Sequence, residues 1–176
     1  VSNQPFYNFA PGRPFYTMVT SFMAASAGLG PVFAKDSPLA FQPGVALLFT
    51  GIVVPDLHVR MEDIRATCTS QPLTGHEAAK SLCCMLVNSA YCVAEDSNDH
   101  SPDFEVFRHF RNAASHGNKF FFKPWEPARP ASWRGFTIDH KMQGAQNPLH
   151  GTEFIGTAAS AADVIVLLSD IEPRLP

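Results

Sequence analysis

Arg111, Asn112 and His116 place a cation, an amide and an imidazole within one short stretch of chain. A guanidinium is always charged and binds phosphoryl oxygens through a fork of N–H donors, and an imidazole exchanges protons near neutral pH. Side chains of these three types can hold a phosphate and move a proton beside it. The element that must position them is the run Asp103 to His116, DFEVFRHFRNAASH, followed at once by Gly117. It reads as a single helix. Pro102 suits a first helical position, and Ser101 before it is a residue type that caps. Asp103 and Glu105 fall where the positive end of the helix dipole favours carboxylates, and Gly117 supplies a left-handed stop. Phe104, Phe107, Phe110 and Ala114 repeat at helical spacing and form the stripe expected to be buried. Asn112 and His116 then share a face one turn apart, with Arg111 beside Asn112.

Each of these residues also has a plainer use. A histidine at a helix C-terminus stabilises the last carbonyls by a few tenths to about 1 kcal/mol. Arg111 can pair with a carboxylate elsewhere, although Glu105, six positions away, is placed to serve Arg108 or His109 instead. Asn112 has no helix-propensity reason to sit mid-helix, which favours a role in orienting His116. Arg108 either extends the basic face or is solvated. Ser115 is not set in a nucleophile elbow.

The string Arg111-Asn112-x-x-x-His116, within FRHFRNAASHGNKF, resembles the signature of the HEPN superfamily. The Trp133-Arg134-Gly135 segment and a final apolar helix ending in DIEPRL are similar to stand-alone bacterial HEPN proteins, so that the resemblance spans roughly residues 45 to 176. It implies an all-α helical bundle and, in many members, metal-independent RNA cleavage with links to toxin–antitoxin and defence systems. The ribose 2′-OH would attack the adjacent phosphorus and leave a 2′,3′-cyclic phosphate. His116 would act as general acid or base, Arg111 would stabilise the phosphoryl oxygens, and Asn112 would orient. The resemblance also implies a homodimer in which two Arg–His helices build one composite site. An antitoxin or other partner protein is a further expectation. One branch of the family carries a Tyr two residues after the His; here that position is Asn118, so control by modifying that Tyr is not expected. Two other readings stay open. One is a HEPN domain that binds nucleotide, RNA or a protein without cutting. The other is a structural homodimer.

Charge distribution points the same way as the helix. The net charge is −3, which by itself does not describe a general nucleic-acid binder. From Arg108 to Lys141, however, seven basic residues face two acidic ones, a balance of +5. The remainder holds six basic and fourteen acidic residues, a balance of −8. Arg108, Lys119 and Lys123 are therefore the expected substrate-binding residues around the catalytic trio. Trp125 and Trp133 could stack on a base, but core or dimer packing is the more ordinary use.

The 176 residues suit one domain, with residues 1–14 as an extended arm and 118–156 as a long irregular insert. Only 16% of residues are charged, against a usual ~25%, which suggests that a partner covers part of the surface. No apolar run approaches the ~18 residues of a membrane span, and no membrane association is expected. Cys68, Cys83, Cys84 and Cys92 form no C-x-x-C pair and read as small apolar residues in a reducing cytoplasm. No signal peptide is visible, although a chain beginning with Val leaves a removed leader open. His58, His76, His100, His140 and His150 show no ligand spacing, and no phosphate loop is present; no metal and no cofactor are expected.

The remaining elements follow from period and punctuation. Phe15 to Ala27 reads as a helix broken by Gly28, Gly30 and Pro31. Val45 to about Thr67 reads as a second helix divided at Pro55, with Val45 to Val54 in the core. Thr74 and Glu77 match a capping box for a third helix carrying Ala79, Leu82, Cys83, Leu86, Val87 and Ala90 on one face. A last helix starts near Ser160 and ends at Pro173. Within the insert, Phe120 to Lys123 and Trp133 to Ile138 are expected to pair as a short hairpin.

Overall fold

Glycine and proline punctuation explains most of where the elements of this chain begin and end. The computed structural model describes residues 9–33, 44–70 and 75–176. Among the described residues are five α-helices: α1 (Tyr16–Phe33), α2 (Met61–Ser70), α3 (Gly75–Ala94), α4 (Pro102–Ser115) and α5 (Ala161–Ile171). Four short strands among the described residues form two antiparallel pairs, β1 (Ala46–Phe49) with β2 (Leu57–Arg60) and β3 (Ala131–Trp133) with β4 (Phe136–Ile138). Of the described residues 53% are helical and 12% are in strands, so the all-α architecture expected from the sequence is corrected to a mixed one.

The chain divides into two compact units. The smaller, Ala24–Ala79, departs most from expectation. Residues 45–67 were expected to be one divided helix; they form the β1–β2 hairpin followed by α2. Gly44, Gly51 and Pro55 cut the apolar run into pieces too short for a stable helix but long enough for strands. At Gly51 a Cβ would collide with the Val54 carbonyl oxygen, so the loop needs glycine there. Leu47, Leu48, Phe49 and Leu57 are exposed rather than buried in a core. α1 runs through Gly28, Gly30 and Pro31 instead of stopping at Ala27. Glycine costs a helix only ~1 kcal/mol, which surrounding structure can offset. Thr74 of the expected capping box and most of the expected N-terminal arm lie outside the described residues.

The larger unit, formed by Lys80–Pro176 with the segment ending at Met23, contains the Arg–His helix. α4 begins and ends almost as its sequence dictates. Phe104, Phe107 and Phe110 are each 1% exposed, and full burial of such a side chain stabilises by about 1.5–3 kcal/mol. Tyr91 on α3 meets Phe104 and Phe107 edge-on at 6.2 and 5.2 Å between ring centres. Phe110 packs on Phe154 at 4.5 Å and on Phe136 at 5.3 Å, tying α4 to the insert. α5 contributes Val164, Leu167, Leu168 and Ile171 to the same core. Its start is fixed by a reciprocal capping box: Asp163 N–H donates to Ser160 Oγ, and Ser160 N–H donates to Asp163 Oδ2.

The insert is ordered by backbone pairing rather than by the expected hairpin. β3 pairs with β4 within Trp133–Ile138 and the residues just before it, across a turn at Arg134 and Gly135, both at positive φ (45° and 86°). Two consecutive residues at positive φ match the hand of a tight hairpin turn. The Phe120 segment pairs instead with residues 151–154: Phe120 N–H donates to Thr152 O (3.0 Å) and Gly151 N–H to Phe120 O (2.8 Å).

Candidate functional site

Residues 101–118 decide where the trio sits. Ser101 is the residue before the first turn, but its hydroxyl makes no cap bond; it is turned to Asp99 (2.5 Å). Pro102 and the acidic first turn carry the helix start instead. At the other end His116 is the cap residue, its N–H donating to Asn112 O (3.0 Å) and Ala113 O (3.2 Å). Gly117 (φ 67°) and Asn118 (φ 66°) follow in the left-handed region and turn the chain back. Asn118 secures that turn: its Oδ1 accepts from Ile155 N–H (2.7 Å), and its Nδ2 donates to Ile155 O (3.0 Å).

Arg111 and Asn112 are brought together. Arg111 Nη1 donates to Asn112 Oδ1 (3.1 Å), and the guanidinium lies over the Tyr91 ring, 5.0 Å from its centre. Tyr91 is a residue that sequence reasoning missed as a site component; its only signal was a buried helical period on α3. Burial, and then Glu95, raise its phenol above the ordinary value. Arg60, Arg108, Arg129, Arg134 and Arg174 each pair with a carboxylate. Arg111 is half-buried and has no carboxylate partner among the described residues. His116 is exposed, and its ring stands 5.1 Å from that of Phe121. It joins Asn112 through the backbone bond alone; no side-chain hydrogen bond links it to Arg111 among the described residues.

Arg108 is neither solvated nor directed to the trio. It donates to Glu105 Oε2 and to Glu126 Oε1, both at 2.9 Å. Glu105 is fully buried and also lies 3.6 Å from Arg129 and 3.3 Å from His100. The Arg108 charge is thus balanced inside the protein. Burial opposes ionisation of Glu126, but hydrogen bonds from Arg108 and from the Lys123 N–H hold its carboxyl below the ordinary value. His109 is buried too, with Nε2 3.0 Å from Arg108 Nη2. Arginine can only donate, so His109 Nε2 accepts and the ring is neutral. Its pKa is pushed down to about 4, first by burial and then by Arg108.

Lys119 and Lys123 are exposed and have no carboxylate partner among the described residues. Lys123 Nζ lies over the exposed Trp125 ring, 5.7 Å from its centre. Trp133 is committed elsewhere, donating to Asp170 Oδ2 (2.8 Å). His150, which showed no pattern in sequence, packs against Phe121 (5.3 Å), and its Nδ1 accepts from Phe122 N–H (3.3 Å). Cys83 and Cys84 are buried, with thiols pushed up to about 12 and about 11 by burial, whereas Cys92 is exposed and Cys68 half-buried. Among the described residues no helix is long and apolar enough to cross a membrane, and no three His, Cys, Asp or Glu side chains gather as a metal site. No family model, curated protein or solved structure matches this chain.

Proposed function

We propose that this protein is an endoribonuclease that works as the HEPN resemblance implies. The observation that carries the reading is Arg111: a half-buried guanidinium held by an amide oxygen and an aromatic ring, with its charge unanswered by any described carboxylate. A phosphodiester supplies the anion that this cation lacks, through the donors its fork leaves free. His116, exposed at the end of the same helix, is the group there able to exchange protons.

In the proposed step the ribose 2′-oxygen bonds to phosphorus as the P–O5′ bond breaks. The 2′-OH proton passes to a base, and O5′ takes a proton from an acid. The products are a 2′,3′-cyclic phosphate and a 5′-hydroxyl. His116 serves as acid or base, Arg111 neutralises the phosphoryl oxygens, and Asn112 holds the Arg111 fork in place. One His116 cannot perform both transfers at once, whereas a second copy of the chain would bring another. The proposed active species is therefore a homodimer that joins two Arg–His helices.

The test is cleavage of an RNA and of a DNA of the same sequence, each in excess EDTA. Cutting of the RNA alone is expected, because DNA has no 2′-OH and the internal nucleophile needs only acid–base help. Cleavage of both, or cleavage that requires a divalent ion, contradicts the reading.

A further inference from the structure

The segment after the Arg–His helix alternates strictly between the interior and solvent. Phe120 and Phe122 are buried at 1% and 2% exposure, while Lys119, Phe121 and Lys123 face outward. This is the two-residue period of an extended chain with one face packed. Backbone bonds hold it straight: Phe154 N–H to Asn118 O, Phe120 N–H to Thr152 O and Gly151 N–H to Phe120 O, at 2.8, 3.0 and 2.8 Å. The outward face is therefore a row of cation, aromatic ring and cation. Beyond Lys123 the chain turns, Glu126 N–H donating to Lys123 O at 2.8 Å, and Trp125 on that turn is 62% exposed with Lys123 over its ring. Phe121 is 47% exposed although it is a phenylalanine, and it stands between His116 and His150 at 5.1 and 5.3 Å.

We infer that Lys119, Phe121, Lys123 and Trp125 form a track for single-stranded RNA that leads to His116. Outward residues of an extended chain recur every ~6.6 Å, about one step along a stretched single strand, so cations and rings can meet successive phosphates and bases. A base on Phe121 would lie next to His116, which sets the adjoining phosphate within reach of the imidazole. The track recognises unpaired bases by stacking and phosphates by charge, without reading sequence. Paired RNA, whose bases are already stacked, is a poor occupant. The inference rests on the ribonuclease reading for the identity of its ligand, but binding to the track does not require cleavage.

The test uses 2′-O-methyl oligouridine, which has no free 2′-OH and cannot be cut, with affinity read by anisotropy and by tryptophan fluorescence. Phe121→Ala and Trp125→Ala should each weaken binding roughly 5- to 150-fold, the usual range for a lost stacking partner. Phe121→Trp should retain binding, and Val93→Ala, an exposed apolar residue on α3, should leave it unchanged. Quenching on binding should vanish in Trp125→Phe, which would assign the signal to that ring rather than Trp133. Unchanged affinity in both alanine variants overturns the track, as does equal binding of duplex RNA, or loss of the dimer in those variants with affinity intact. If the oligomer binds along the track while unmodified RNA is never cut, the track stands and the ribonuclease reading fails. If RNA is cut normally by both alanine variants with unchanged affinity, the reverse holds.

Discussion

Arg111 differs from its neighbour Arg108 in what answers its charge. Arg108 has two carboxylates at 2.9 Å; Arg111 has an amide oxygen and the Tyr91 ring. Arg111→Ala is expected to abolish cleavage while costing no more than about 2 kcal/mol, since one cation–π contact and one hydrogen bond are lost. Arg111→Lys should keep part of the binding and little of the rate, because an ammonium lacks the fork. Rates compared with denaturation midpoints decide it, and an Arg111→Ala variant that folds and cuts normally refutes the assignment. His109 makes a separate prediction. Its folded pKa near 4 lies below the ~6.5 of an unfolded chain, so on acidification the unfolded state binds a proton first. Stability should fall as pH drops from about 6.5 towards 4, by about 2 kcal/mol between pH 7 and 5. Urea titrations at those two pH values should show this extra loss in the wild type and not in His109→Gln; equal losses would contradict the neutral, buried ring.

At the scale of elements, α4 was legible because every local signal agreed: Pro102, the acidic first turn, the phenylalanine period and Gly117 all mark one helix. The β1–β2 hairpin was not, because a short apolar run has no period that separates strand from helix, and Gly51 and Pro55 decided it. The pairing partner of Phe120 was equally hidden, since residues 151–154 lie thirty positions further on and carry no strand pattern of their own. That distant pairing is also what brings His150 beside Phe121, so no spacing rule could have found it. The start of α5 was placed at Ser160, but its full box, Ser160 with Asp163, is the carboxylate version of a signal usually sought with Glu. Ser160→Ala should cost about 1 kcal/mol, read as a lowered urea midpoint with cleavage unchanged. Glu105→Ala should cost far more, about 3–5 kcal/mol, because it leaves Arg108 half-answered at a buried site. A mild effect there would mean that Glu126 alone balances Arg108.

For the whole molecule the decisive quantity is where the positive charge lies. A chain of net charge −3 should bind RNA with a steep salt dependence if the segment from Arg108 to Lys141 makes the contacts. Because Arg108, Arg129 and Arg134 are paired internally, Lys119, Lys123 and Arg111 carry most of that expectation. Lys119→Glu with Lys123→Glu should weaken binding at low salt and flatten its dependence on salt; an unchanged slope would place the contacts elsewhere. The end group left on cleaved RNA reports the chemistry itself. Fragments made in EDTA by the wild-type protein and by His116→Ala are identified by mass spectrometry, with folding of the variant checked by its thermal midpoint. The wild type should leave 2′,3′-cyclic phosphate ends, and a folded His116→Ala should give no fragments. Fragments with 3′-hydroxyl ends, or equal cutting by both proteins, would contradict it.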